Sequence, residues 1–190
     1  MRRTPLKSKT PLKSKTPLRS RTSLGVSHEE GGGKAVRKRR SEPNYVRDMD
    51  TVFQFWVRLR DSMPGGYCRC ISCGKIKPFD HIQAGHYMSR RHMSTRWNPL
   101  NCNGECDYCN GRDGDHLIGY RRNLVMKIGE AKTEWLEAES RRTAKKLSDF
   151  DIKVMIKDYS QKILILSSVK HIHISKTVMD IIKRYDKMKL

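Results

Sequence analysis

Apolar residues recur at helical spacing over residues 46–61, between two polar stretches of the chain. The apolar positions are Val46, Met49, Val52, Phe53, Trp56, Val57 and Leu59. Most of them are three or four residues apart, so they share one face of a helix. Pro64, Gly65 and Gly66 follow and predict that this helix ends. We therefore expect ordered structure to begin near Tyr45 with a helix that packs against a core.

Residues 67–114 show no comparable periodicity. This segment is rich in Cys, His, Gly, Asn and Pro and contains few aliphatic side chains. Such a composition cannot build an ordinary apolar core. We expect a bound metal ion to take the place of the core in this part of the chain.

Helical periodicity returns over residues 116–146 and again after residue 147. Ser148 and Asp149 can cap a further helix to about Leu166. The end of the chain is ambiguous, because the alternation of Ile172 and Ile174 indicates a short strand before a final helix. The apolar positions of the first stretch are Leu117, Tyr120, Leu124, Ile128, Trp135 and Leu136, and those of the final helix are Val178, Ile181, Ile182 and Tyr185.

The first 27 residues repeat a hexapeptide, which changes the picture for the N-terminal quarter of the chain. The repeat reads TPLKSK at 4–9 and 10–15, TPLRSR at 16–21, and a degraded TSLGVS at 22–27. Proline in each full copy blocks a helix, and isolated leucines cannot form a core. We expect an extended, disordered segment. Three glycines at 31–33 form a hinge before a basic cluster at 34–40.

Charge points to a polyanionic partner. The chain has 40 Lys and Arg against 20 Asp and Glu, a formal net charge of +20. Residues 1–47 hold 14 basic and 3 acidic side chains, so about half of the excess lies there. We interpret this segment as a DNA-binding arm, with a solubilising tail as the alternative. Its candidate DNA-binding residues are Lys34, Arg37, Lys38, Arg39 and Arg40. A structural basic protein, such as a ribosomal one, would also fit the charge.

A membrane partner is not expected. The longest aliphatic run covers residues 163–166, too short to cross a bilayer. The N-terminus is charged from Arg2 onward and has no apolar signal core. We expect the protein to lie in the cytoplasm, where six cysteines indicate metal binding rather than disulfides.

Two pairs of cysteines have the spacing of a metal site. Cys70 and Cys73 are separated by two residues, as are Cys106 and Cys109, and 32 residues lie between the pairs. Each pair can grip one tetrahedral ion, and Gly74 suits the left-handed turn that this needs. We predict a structural Zn²⁺ held by the four thiolates. Cys68 and Cys102 are left over, either as small buried residues or as substitute ligands.

Three polar residues surround the cysteine pairs in the order of an HNH motif in its His-Asn-Asn variant. His86 follows Gly85 in an expected strand, Asn101 comes five residues before Cys106, and Asn110 directly follows Cys109. The arrangement resembles endonuclease VII, a phage junction resolvase with two such cysteine pairs and an asparagine after the second.

Several motifs over about residues 45–165 also resemble the NinG (Rap) family of lambdoid phages. They are FQFWVRLRD at 53–61, CISCG at 70–74, QAGHYMSRRH at 83–92, TRWNPLN at 95–101 and ECDYCNGRDG at 105–114. The basic leader is similar too. The resemblance implies a phage- or prophage-encoded endonuclease that acts in a bacterial cell on recombination intermediates such as Holliday junctions and D-loops.

The chemistry of the residues fits hydrolysis of a phosphodiester. A neutral imidazole at His86 can accept a proton from water. Asn101 would orient the loop or the imidazole, and Asn110 offers an oxygen suited to Mg²⁺ or Mn²⁺. Each residue also has a simpler interpretation: His86 as a structural residue or zinc ligand, and the asparagines as caps of turns or of a helix.

Gly85 departs from the HNH pattern, in which an Asp or His before the base binds the catalytic metal. The second ligand must then come from elsewhere, and Asp115 is the first candidate. The other candidates are Asp80, His81, His92 and His116. Three arginines that follow the base are expected to contact phosphates, or else to form a solvated basic loop. They are Arg90, Arg91 and Arg96.

Together these features predict an α+β fold: a small zinc-stabilised ββα-metal (HNH-like) core flanked by helices, with a disordered basic N-terminal tail. The expected boundaries are an arm at 1–44, the core with its adjoining helices at 45–147, and a C-terminal helical region at 148–190. The leading function is a structure-specific DNA endonuclease; the alternative is a non-catalytic zinc protein that binds DNA. Paired cuts across a junction would suit a homodimer, with the C-terminal helices as interface.

Overall fold

A computed structural model describes residues 44–144 and 146–188. The predicted arm, with Lys34, Arg37, Lys38, Arg39 and Arg40, lies outside the described residues. The described residues fall in one compact unit. Its elements are α1 (Tyr45–Asp61), β1 (Ser62–Met63), β2 (Tyr67–Arg69), β3 (Ile76–Pro78), a 3₁₀ turn (Phe79–His81), β4 (Ile82–His86), β5 (Cys102–Cys106), α2 (Asp107–Arg112), α3 (His116–Ile128), α4 (Glu130–Ser140), α5 (Asp149–Lys170) and α6 (Lys176–Asp186). The predicted α+β class is confirmed.

The strands form two small antiparallel sheets. One has the order β1-β2-β3, and the other consists of β4 and β5. In the second sheet Ile82 lies opposite Cys106, Gln83 opposite Glu105, Gly85 opposite Asn103, and His86 opposite Cys102. Helix α2 follows β5 directly, so the order here is strand, strand, helix. Because side chains alternate across a strand, Gln83 and His86 leave opposite faces of this sheet, and the cavity described below is lined by both.

Helix α1 begins one residue before the predicted segment. The side chain of Asn44 caps it by accepting a hydrogen bond of 3.0 Å from the backbone N–H of Arg47. Its predicted apolar face is largely in the core, with Met49, Val52 and Phe53 fully buried. The helix extends to Asp61, in agreement with the predicted end before the Pro-Gly-Gly turn.

Helices α5 and α6 pack against α1 in the main core. A capping box begins α5. Ser148 takes part in it as predicted, but its partner is Asp151 and not Asp149, and the helix continues to Lys170, beyond the predicted Leu166. The ammonium of Lys170 donates to the backbone carbonyls of Leu59, Arg60 and Ser62 at the end of α1. This positive charge at a helix C-terminus joins the C-terminal region to the start of the fold.

Two sequence predictions are corrected by the structure. The helix expected over residues 116–146 is divided at Gly129, whose φ of +88° is favourable only for glycine and which ends α3 and begins α4. The strand expected at Ile172 and Ile174 is absent from the described residues. That segment connects α5 to α6, and Ile174 is buried in the same core as α6.

Within the described residues, no helix combines the length and the apolar character needed to cross a membrane.

Candidate metal centre and adjoining cavity

Four cysteines converge where β2, β5 and α2 meet. The sulfur atoms of Cys70, Cys73, Cys106 and Cys109 all lie within 4.8 Å of one another, and those of Cys73 and Cys106 are 3.9 Å apart. A tetrahedral zinc with Zn–S bonds of about 2.3 Å places its sulfurs about 3.8 Å apart. The four thiolates could therefore bind a structural metal such as zinc, which is the ligand set predicted from the spacing.

The backbone of the first pair is shaped for this role. Gly74 has φ +72°, the left-handed conformation predicted for it, and its N–H donates to the carbonyl of Cys70 at 2.9 Å. The N–H of Cys106 points at the sulfur of Cys70 at 3.3 Å. Such N–H contacts favour a thiolate over a thiol, and thiolates are the form that binds metal.

Cys68 and Cys102 stand outside this cluster and are both fully buried. The thiol of Cys68 lies 3.2 Å from the carbonyl oxygen of Asp61, and burial raises its pKa to about 11. Burial also raises the pKa of the Cys102 thiol. They therefore act as small buried side chains, the first of the two interpretations that the sequence left open.

A cavity of about 710 Å³ opens beside the sheet of β4 and β5. It contains two of the predicted catalytic residues, His86 and Asn110, and one predicted phosphate contact, Arg90. His116, a secondary candidate, also lines it. The opposite wall comes from α1 and the start of α6, where Thr51, Gln54, Arg58, Ser175 and Thr177 add polar groups.

The imidazole of His86 is held in one orientation. Its Nε2 donates to the backbone carbonyl of Arg96 at 3.0 Å, so Nδ1 carries the lone pair. Nδ1 lies 3.8 Å from the sulfur of Cys102. Burial is the main cause that lowers the pKa of His86 below the usual value of a histidine. The side chain is therefore neutral near pH 7, the form a general base requires.

Asn101 organises the loop that supports His86. It is fully buried and accepts a hydrogen bond of 2.7 Å from the N–H of Met88. Its amide nitrogen donates to the carbonyls of Met88 and Thr95. The loop so fixed contains Arg96, whose carbonyl holds the imidazole. Asn101 therefore lies outside direct contact with His86 and acts through the loop.

Asn110 and Asp115 have different surroundings. The amide nitrogen of Asn110 donates to Oε1 of Gln83 at 2.6 Å, and its Oδ1 has no partner among the described residues. Asp115 is exposed at the start of α3 and does not line the described cavity. The choice of Asp115 as the second metal ligand therefore stays a prediction, without a contact in the structure that brings it to the other site residues.

The carboxylate that does lie beside the site belongs to Glu105, which the sequence analysis missed. Glu105 is fully buried on β5, and its Oε1 is 2.7 Å from Nδ1 of His116. The hydroxyl of Ser72 donates to the same oxygen. No periodic pattern in the short strand CNGEC distinguishes a buried glutamate from an exposed one. The signal available was a charged residue directly before a metal-binding cysteine.

The three predicted phosphate-binding arginines differ in exposure and in their contacts within the protein. Arg90 and Arg91 are exposed on the loop between β4 and β5. The guanidinium of Arg96 forms a paired contact with the carboxylate of Asp50 on α1, and its third nitrogen donates to the carbonyl of Arg90 at 3.1 Å. Arg96 therefore joins the loop to α1, and its role as a phosphate contact stays a prediction.

Comparison with known proteins gives a consistent set of relatives. The family model described as Bacteriophage Lambda NinG protein matches residues 18–168. Protein ninG of Escherichia phage lambda is 26% identical over 132 residues, which cover 67% of this chain and 61% of the relative. Protein ninG of Salmonella phage P22 gives the same values, and that of Escherichia phage 933W is 26% identical over 111 residues, 56% of this chain and 52% of the relative. The matched part of this chain thus spans about three fifths or less of these relatives. No solved structure matches the chain significantly.

Proposed function

The chain belongs to the bacteriophage lambda NinG protein family, and from this premise we propose that it is a metal-dependent DNA endonuclease of the HNH type. Its substrates are branched recombination intermediates such as Holliday junctions and D-loops. Its product is a nick in a phosphodiester backbone, and its place of action is the cytoplasm of a bacterial host.

One observation carries this proposal: a single cavity beside the cysteine cluster holds a neutral imidazole, an unpaired amide oxygen and an exposed arginine. These belong to His86, Asn110 and Arg90. The order strand, strand, helix that frames them also agrees with a ββα-metal core. Hydrolysis of a phosphodiester needs a base, a positive charge on the phosphate and a means of orienting water.

Each residue then has a defined task. Nδ1 of His86 accepts the proton of the attacking water, while the carbonyl of Arg96 keeps the ring in place. Asn101 fixes the loop, and Arg90 and Arg91 contact phosphates. Oδ1 of Asn110 is a ligand for Mg²⁺ or Mn²⁺, which when bound supplies positive charge to the phosphate. The cysteine-bound zinc is structural, because all four of its positions are taken by sulfur.

The charge of the chain supports a DNA substrate. The basic arm at residues 1–44 would supply affinity for any DNA backbone through Lys34, Arg37, Lys38, Arg39 and Arg40. Selection of a branched substrate would then rest on the folded part. Paired cuts across a four-way junction require two active sites, so we further propose a homodimer.

A second function is favoured by the packing around His86. Both of its ring nitrogens lie near groups of the same chain, Arg96 and Cys102. Arg96 itself is bound to Asp50. A site with all its groups engaged internally suits a non-catalytic zinc protein that binds recombination DNA.

Incubation with DNA separates the two functions. The zinc-loaded protein is mixed with a radiolabelled four-way junction and with a linear duplex of the same sequences, with and without Mg²⁺ or Mn²⁺. An endonuclease gives nicks near the branch point that require the added metal. Protein–DNA complexes that are seen in a gel-shift assay without any metal-dependent nick would refute the endonuclease and support the DNA-binding function.

A further inference from the structure

Glu105 lies where burial of its carboxylate is energetically unfavourable. It has no exposed surface. Its Oε1 receives the hydroxyl of Ser72 and contacts Nδ1 of His116, while its Oε2 is buried without a hydrogen-bond partner in the described chain. Burial of an ionisable group is unfavourable when its oxygens are incompletely satisfied. The fold therefore keeps Glu105 at a cost in stability.

Gly85 makes room for this carboxylate. A Cβ atom at residue 85 would lie 2.1 Å from Oε2 of Glu105 and 2.8 Å from its Cβ, closer than atoms can approach. The space that a side chain at 85 would fill is thus occupied by a carboxylate from the neighbouring strand. A larger residue directly before His86 would therefore displace Glu105.

The contact with Glu105 orients His116 toward the cavity. Because a carboxylate oxygen accepts, Nδ1 of His116 is the donor, which leaves Nε2 as the ring nitrogen available to a ligand. The imidazole side chain is 20% exposed and lines the cavity. A carboxylate that holds one imidazole nitrogen while the other faces a site is the usual support for a metal-binding histidine.

Asn110 and His116 lie on the same face of the small sheet. Asn110 contacts Gln83 and His116 contacts Glu105, and Gln83 and Glu105 are directly opposite each other in the register of β4 and β5. Both residues also line the same cavity. Neither Oδ1 of Asn110 nor Nε2 of His116 has a partner among the described residues, so both atoms can accept a cation there.

We propose that His116 Nε2 and Asn110 Oδ1 together bind the divalent cation of the cavity, and that Glu105 is a positioning residue for His116. The inference rests on the proposed function and deepens it. It names a second metal ligand to replace the Asp or His that the HNH pattern has at the position of Gly85. An imidazole ligand favours transition metals over Mg²⁺. The site is therefore expected to bind Mn²⁺ more tightly than Mg²⁺.

Mn²⁺ binding to the zinc-loaded full-length protein tests this directly. The signal of free Mn²⁺ in electron paramagnetic resonance gives the affinity, and elemental analysis checks that zinc is retained. His116→Ala should weaken Mn²⁺ binding by 10-fold or more, since a direct ligand is lost. Asp115→Ala, one residue away, removes the ligand first predicted from the sequence, and if His116 is the ligand this variant should leave the affinity unchanged. Mg²⁺ should displace the bound Mn²⁺ only when its concentration is well above that of Mn²⁺.

A pair of glycine substitutions tests the role of Glu105 without altering either ligand. Gly85→Ala pushes the carboxylate away and should weaken Mn²⁺ binding by about 10- to 100-fold, the usual effect of losing the group that supports a ligand. Gly114→Ala, whose Cβ would meet no atom within 4 Å, should not. If Gly85→Ala fails to fold, His116→Ala remains decisive.

Two results would overturn the inference: a wild-type protein that binds no Mn²⁺ apart from exchange at the cysteines, or a His116→Ala variant that binds it with wild-type affinity. Failure of the proposed function looks different. A protein that binds Mn²⁺ through His116 and leaves every DNA substrate intact would refute the endonuclease and keep the cation site.

Discussion

At the scale of single residues, the protonation of His86 follows from its neighbours. Burial lowers its pKa, and the charges of Arg90 and Arg96 act in the same direction, against the carbonyl of Arg96 and the carboxylate of Asp50. A base with a lowered pKa stays neutral as the pH falls through the value of about 6.5 that is usual for a histidine. The ring should therefore remain able to accept a proton in mildly acidic solution.

We accordingly predict that the NMR titration midpoint of His86 lies below about 6.5, and that the acidic limb of the cleavage rate lies there too. Arg90→Gln should raise the midpoint, because it removes a nearby positive charge. Arg91→Gln, a change of the adjacent exposed arginine, serves as control and should leave it in place. A midpoint at or above the usual value would mean that the ring is more solvated than its contacts indicate.

The residue scale is also where prediction from sequence was weakest. His86, Asn101 and Asn110 were selected from their positions around the cysteines, and two of them do share a cavity. Glu105 and the orientation of His116 were not foreseen, because they depend on the register that sets Glu105 beside Gly85. Register is fixed by tertiary packing, and a five-residue strand without apolar alternation does not reveal it.

At the scale of elements, the cysteine cluster connects β2, β5 and α2, which otherwise share few apolar contacts. Their buried cluster consists of Ile82 and cysteines alone. We predict one zinc per chain, and that Cys109→Ser loses it together with the cooperative unfolding of this region, because metal-binding energy here is folding energy. Elemental analysis and thermal unfolding with and without a chelator measure both effects.

Cys68→Ala provides the comparison for that experiment. Cys68 is as buried as Cys70, Cys106 and Cys109 but stands outside the ligand cluster, so the variant should keep its zinc. Purified protein without zinc, or a fold that withstands strong chelation, would show that the cluster is not a structural metal site.

The elements themselves were predictable where local sequence determines them. Periodicity and capping residues located α1 and the start of α5 to within a residue or two. The single helix expected after residue 115 is two helices, because Gly129 has a positive φ. A single glycine in a periodic segment does not allow this conformation to be predicted. Ile172 and Ile174 alternate as in a strand, but no strand lies beside them to pair with, and the described segment connects two helices.

At the scale of the whole molecule, we expect the basic arm to supply affinity for any DNA and the folded unit to select branched DNA. Deletion of residues 1–40 should weaken binding to all DNA forms to a similar extent, because the arm is rich in positive charge, which attracts any DNA backbone. The dependence of binding on salt should flatten as well, since each phosphate neutralised contributes about 0.9 to the logarithmic slope.

Binding titrations on a junction and on a duplex over a range of salt concentrations check this prediction. Zinc content and thermal unfolding of the shortened protein serve as controls for the folded unit. A slope that does not change on deletion would mean that the arm makes no phosphate contacts.

The whole-molecule arrangement was foreseen only in part. The spacing of two cysteine pairs across 32 residues was sufficient to predict that they meet. It did not indicate that α5 and α6 would pack on α1 in one core, or that the start of α6 would line the cavity beside His86. Contacts between residues more than 100 positions apart leave no local pattern in a sequence.

The central claim, that this cavity is an endonuclease site, is tested most directly by a metal titration of cleavage on a four-way junction with two variants. His86→Ala should bind the junction normally and cut it at least about 100-fold more slowly at every metal concentration, because the proton acceptor is gone. Asn110→Ala should also be slow, but excess Mn²⁺ should partly restore it, because only metal affinity is lost. If both variants cut as the wild type does, or if His86→Ala loses zinc and unfolds, the catalytic assignment is contradicted.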